Sequence, residues 1–144
     1  MKQYMGTKLV EAESHLKADE PGYHVRYADG YESWSPKAIF ESAYLPLTCN
    51  PNLKTNAPSI SQEMVDDFIH HVEVTTLGDK CTVVRAILRN GFEIVESSAC
   101  VSAENYDEKL GAKICMGKIR DQVWMLLGFL LQTAVNGVNG VNKV

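Results

Sequence analysis

Four histidines, His15, His24, His70 and His71, are the first candidates for metal or acid–base chemistry. A zinc site draws its ligands from close pairs, and His70-His71 is the closest pair here. On a helix, adjacent residues diverge by about 100° and do not converge on one ion. No metal site is therefore expected. The cysteines, Cys49, Cys81, Cys100 and Cys115, show no CxxC spacing. No GxSxG elbow places a serine beside a base, and no cysteine lies in a recognisable nucleophile context. Gly6-Thr7-Lys8 lacks the rest of a phosphate-binding loop. Asp66-Asp67 diverge as neighbours on a helix, and Asp107-Glu108 suit a helix N-terminus, where the dipole favours negative charge. No catalytic residue and no cofactor is implied.

Binding chemistry has more to work with. Lys113, Lys118 and Arg120 bring cations onto one helical stretch, and Arg85 stands in a strand-like run. Trp34, with Tyr31 nearby, offers a stacking surface. Cations and an aromatic face together would suit a phosphate-bearing small molecule held at an oligomer interface. Lysines on a helix flank also serve as solubility groups, and Trp34 could equally cover a small core.

The elements that must position these groups are legible in part. Tyr4–Ala12 and Tyr23–Tyr27 alternate like strands, with Pro21-Gly22 expected to end the loop between them. Asp29-Gly30 signals a tight hairpin. Ser35 is expected to cap a short helix that opens with Pro36 and runs to about Tyr44. Ser61 should cap a helix from Gln62 to about His71, and Val72–Thr76 is β-prone. Cys81–Leu88 and Phe92–Ser97 form a hairpin about Asn90-Gly91. A long helix is expected from Ala103 or Glu104 to about Val135, with Tyr106, Leu110, Ile114 and Cys115 on its apolar side.

That helix would reach about 45 Å, beyond the roughly 37 Å expected of a compact domain of this size. It should break near Gly117 or Gly128, or overhang and meet another copy. Val123–Leu131 is apolar all round, which calls for burial on every side. Nine residues are too few to span a membrane. A homo-oligomer through Ile114, Trp124, Leu127 and Leu131 is the expected solution. The organisation is then a ββα-type module over 1–47, a linker over 48–58, a helix-hairpin-helix domain over 59–135 and a loose tail over 136–144. The fold class is α+β.

The 144 residues carry 45% hydrophobic and 22% charged residues, which excludes wholesale disorder. A formal charge of −4 argues against a nucleic-acid-coating protein. The N-terminus has no signal-peptide run, so a reducing cytoplasm with free thiols is expected.

Two stretches resemble known phage sequences. Ser59–Val65, Leu88–Phe92, Glu96–Cys100, Asn105–Asp107, Gly111–Ile114 and Val123–Leu131 together resemble a family of small tailed-phage proteins. That family is named after gene product 49 of phage N-four and gene 66 of phage Sf-six. Tyr4–Lys8, Pro21–Tyr23, Asp29–Tyr31 and Ser33–Lys37 are similar to an N-terminal module of phage proteins, which elsewhere looks joined to a domain resembling an anti-defence protein. The resemblance implies a non-enzymatic phage accessory protein that sequesters a nucleotide-type immune signal. The alternatives are a protein-binding inhibitor of a host defence enzyme, a virion or assembly component and, last, an enzyme.

Overall fold

The computed structural model describes residues 1–48 and 50–143; Cys49 and Val144 lie outside the described residues. The protein is α+β, with two three-stranded antiparallel sheets, short helices and one long C-terminal helix. It divides into two compact units. One comprises Met1–Leu47 and the chain from Phe129 onward, and the other Thr48–Gly128.

In the first unit, β1 (Glu11–Lys17), β2 (Glu20–Arg26) and β3 (Glu32–Pro36) lie in that order, followed by α1 (Lys37–Ala43). The β1–β2 turn falls at Ala18 and Asp19, both at positive φ (48° and 67°), and not at Pro21-Gly22. Two-residue hairpins need that conformation to match the twist of the strands. Pro21 and Gly22 instead lie inside β2. A Cβ at Gly22 would overlap the Trp34 ring and the Ser35 carbonyl, so this glycine serves close packing rather than a turn. The β2–β3 hairpin closes at Asp29-Gly30 as expected: Gly30 N–H donates to the Tyr27 carbonyl (2.9 Å), and Tyr31 N–H to Asp29 Oδ1 (2.9 Å).

Two expectations fail in this unit. Met1–Val10 forms no strand, because β1 begins at Glu11 and the alternating residues before it find no pairing partner. Ser35 does not cap α1. Ser35 and Pro36 still pair with Tyr23 and Gly22, which holds Pro36 extended (ψ 146°), and α1 starts without a side-chain cap. Val25 is buried here, and Tyr23, Phe40 and Tyr44 cover the small core as successive stacked rings 4.3 and 4.7 Å apart.

In the second unit, α2 (Gln62–Phe68) is capped as expected, Ser61 Oγ accepting from Met64 N–H at 3.2 Å. It ends at Phe68, three residues short of His71. Ile69 already pairs with Leu88, and Arg89 N–H donates to the Phe68 carbonyl (2.9 Å). His70 and His71 therefore lie in β4 (Ile69–Leu77), at an irregularity in its register. β5 (Cys81–Leu88) and β6 (Glu93–Ala99) complete the sheet in the order β4-β5-β6, and Gly91 (φ 86°) turns the expected hairpin.

Alternation along β5 buries Thr82, Val84, Ala86 and Leu88 and leaves the residues between them half-exposed. The buried face meets α3 (Glu108–Asn136) and, with Met64 and Val65 of α2, forms the core. A 3-10 turn at Ala103–Asn105 precedes α3 and is separate from it. Asp107 Oδ1 caps α3, accepting from the N–H groups of Lys109 (2.9 Å) and Leu110 (3.2 Å).

Within Glu108–Gly128, α3 buries Gly111, Cys115, Ile119, Val123 and Leu127, every fourth residue. The expected apolar face was displaced by one position: Leu110 and Ile114 are exposed. Gly111 sits where α3 passes close to the sheet, and a Cβ there would overlap the Thr82 hydroxyl. No break occurs at Gly117 or Gly128, so α3 runs unbroken for 29 residues, about 44 Å. Val123–Leu131 is not buried on every side: Met125 is 66% and Phe129 74% exposed. Leu127, expected at an interface between copies, is buried within its own chain. Gly137 (φ 79°) ends the helix, its N–H donating to the Thr133 carbonyl at 2.7 Å. The tail then makes a 3-10 turn, Gly140–Lys143, where a loose end was expected. No described helix is long and apolar enough to cross a membrane.

Candidate functional site

The cations singled out in the sequence divide between two sides of the second sheet. At about 100° per residue, Lys113 and Arg120 share one flank of α3 and Lys118 stands on another. Lys118 Nζ donates to the Ser97 carbonyl of β6 (2.8 Å), and Arg120 Nε to Asp66 Oδ1 of α2 (3.1 Å). These two contacts moor α3 on either side. Lys113 is exposed and makes no ion pair among the described residues.

Arg85 lies on the sheet face away from α3, among the residues that alternate with the buried ones. Its guanidinium bridges Glu73 (2.9 Å) and Glu93. The hydrogen bond and charge of Arg85 hold the Glu73 carboxyl below its ordinary value, and Glu73 in turn raises Arg85. The α3 cations and Arg85 thus face opposite ways. Desolvation raises the buried Cys115 thiol, whose Sγ lies 3.9 Å from the Thr82 carbonyl. A raised thiol is a poor nucleophile at neutral pH.

A polar cluster that the sequence did not reveal fixes the start of α3. Tyr106 Oη lies 2.8 Å from both Thr82 Oγ1 and Thr76 Oγ1, and Thr76 also bonds Glu108. Only the three-dimensional pairing of β4 with β5 brings the two threonines under one tyrosine. It satisfies the buried Thr82 hydroxyl and is sufficient as a structural device.

Concave surface with an aromatic wall lies in the first unit. Trp34 is not free to stack on a ligand: its indole packs on Gly22 and its Nε1–H donates to the His15 carbonyl (3.0 Å). A cleft of about 250 Å³ beside it is lined by Ser14, His15, Tyr23, Lys37 and Glu41. The Tyr23 hydroxyl there donates to Glu41 (2.8 Å), which raises the phenol above its ordinary value.

A wider cleft of about 530 Å³ is lined by Lys8, Tyr27, Ala28, Asp29 and Tyr31. Tyr27 and Tyr31 stack at 5.7 Å, Tyr31 is 64% exposed, and Lys8 Nζ stands 4.4 Å above the Tyr27 ring. The sequence marks Tyr31 as a stacking group. It gives no such sign for Lys8, since nothing local shows that the chain returns it to the Asp29-Gly30 hairpin.

Among the described residues no group of three or more His, Cys, Asp or Glu side chains could hold a metal ion. No curated protein and no solved structure matches the chain. One family does, over residues 60–135, from the segment leading into α2 to the last turn of α3, which is more than half of the sequence. On that match the chain belongs to the phage protein (N4 Gp49/phage Sf6 gene 66) family.

Proposed function

We propose that this phage-family protein is a non-enzymatic accessory factor that sequesters a nucleotide-type host immune signal. The observation that carries the reading is the cleft formed by Lys8, Tyr27, Asp29 and Tyr31. It supplies the three groups a nucleotide requires. The exposed Tyr31 ring offers a face for the base, the Lys8 ammonium a charge for phosphate, and the Asp29 carboxylate an acceptor for ribose hydroxyls. The Asp29 oxygen that caps Tyr31 N–H is occupied, and its second oxygen is the one assigned to the sugar. The resemblance of the first 47 residues to a module of phage accessory proteins supports the same reading by association. The site of action is then the cytoplasm of the infected host.

The test is retention. The purified chain is incubated with a panel of cyclic nucleotides and cyclic ADP-ribose isomers and filtered. The retained protein is then heat-denatured, and the release is identified by mass spectrometry. A compound retained and released intact supports sequestration; Tyr31→Ala should weaken its retention about tenfold or more, in line with about 1–3 kcal/mol per stacked base, and Lys8→Ala should weaken it through loss of the phosphate contact. Lys113→Ala should leave it unchanged. A compound consumed would establish an enzyme. If nothing is retained, the second reading, an inhibitor of a host defence protein, takes precedence. The open face of the second sheet, with Leu77 and Val95 65% and 59% exposed, favours that reading.

A further inference from the structure

The longest element carries an apolar face that its own chain leaves bare. Leu110, Ile114 and Met125 of α3 are 55%, 45% and 66% exposed. At 3.6 residues per turn, Ile114 and Met125 lie within about 20° of one another around the helix and about 16 Å apart along it. Between them, at about 30° to either side of the same line, stand Lys118 and Asp121, both exposed. This is a self-complementary face. It reads apolar, positive, negative, apolar in one direction and apolar, negative, positive, apolar in the other.

We propose that this face packs antiparallel against the same face of a second copy of the chain, with the two-fold axis between residues 119 and 120. In that register Ile114 of each copy meets Met125 of the other, and Lys118 of each meets Asp121 of the other. Leu110 lies one turn outside each apolar pair. The charges select the direction. A parallel pair in register would set Asp121 against Asp121, and an antiparallel pair centred one residue later would bring both carboxylates to the axis. The Lys118 side chain is already held by the Ser97 carbonyl, so less freedom is lost on pairing. The face differs from the interface read from sequence: it retains Ile114, and it excludes Leu127, which is buried in its own chain.

The full chain tests it by sedimentation equilibrium. The wild type should sediment as a dimer. Ile114→Glu and Met125→Glu should each give a monomer with unchanged circular dichroism, because both side chains are exposed. Lys118→Asp and Asp121→Lys should each weaken association by about tenfold, and the double exchange should restore it to within about threefold of wild type. A wild type that is monomeric at every concentration overturns the proposal. So does a dimer unaffected by the glutamate variants. A double exchange no tighter than the single variants refutes the antiparallel register.

Discussion

Two glycines six residues apart on α3 should respond in opposite directions to one methyl group. At Gly111 an added Cβ would overlap the Thr82 hydroxyl and stand 2.8 Å from Thr82 Cβ, whereas at Gly117 it would meet nothing within 4 Å. Helix propensity favours alanine over glycine by about 1 kcal/mol at both positions. At Gly117 that is the whole effect, and Gly117→Ala should stabilise the chain by about 1 kcal/mol. At Gly111 the overlap acts against it. Thr82 is fully buried, and its hydroxyl shares the Tyr106 hydroxyl with Thr76, so it cannot move without leaving a polar group unpaired. Overpacking costs about 1–3 kcal/mol and the disturbed hydrogen bond about 1 more. Less the propensity gain, Gly111→Ala should destabilise by about 1–3 kcal/mol. Urea denaturation followed by far-ultraviolet circular dichroism reads both variants, with α3 supplying most of the helical signal. Thr82→Ala removes the hydroxyl that is struck, and in that background the cost of Gly111→Ala should fall by at least about 1 kcal/mol. If Gly111→Ala were as stable as Gly117→Ala, α3 would not cross the sheet at Thr82, and the account of its docking would be wrong.

Ser61→Ala should cost about 1 kcal/mol in the same denaturation assay. It removes the cap on Met64 N–H and leaves the hydroxyl of Thr48 without its partner. The Glu73 carboxyl should titrate below the ordinary glutamate range by carbon-detected NMR, and Arg85→Gln, which removes the largest cause, should move it back toward that range. Because the folded value is depressed, this ion pair contributes to stability above the ordinary carboxylate pKa. That contribution is lost as pH falls through the folded value. A Glu73 that titrates normally in the wild type would show that the Arg85 bridge is not formed in solution.

What was legible in the sequence was whatever a few adjacent residues decide. Ser61 before an apolar-periodic run, Asn90-Gly91 between two β-rich runs and the alternation of Cys81–Leu88 each fix their own local geometry. What was not legible depended on distant partners. Tyr4–Val10 has the pattern of a strand but no neighbour to pair with, while Ser35 has the chemistry of a cap but is held extended by Tyr23. The same cause explains α3. Ranked by hydrophobicity, Leu110 and Ile114 belong in the core; ranked by the space above Thr82, Gly111 and Cys115 do, and closeness of approach decides. That choice pushes the larger apolar residues outward, beside Lys118 and toward the Met125 line, and so creates the face assigned to a second copy. The cations failed as a single site for a related reason. A strand residue's face is set by register, and the burial of Val84 and Ala86 obliges Arg85 to point away from the helix that carries Lys113. A fold-level contact, Lys8 above the half-buried Tyr27, brings an ammonium beside the exposed Tyr31 ring, and it joins residues nineteen apart. The candidate site was therefore visible as residue types and invisible as a place.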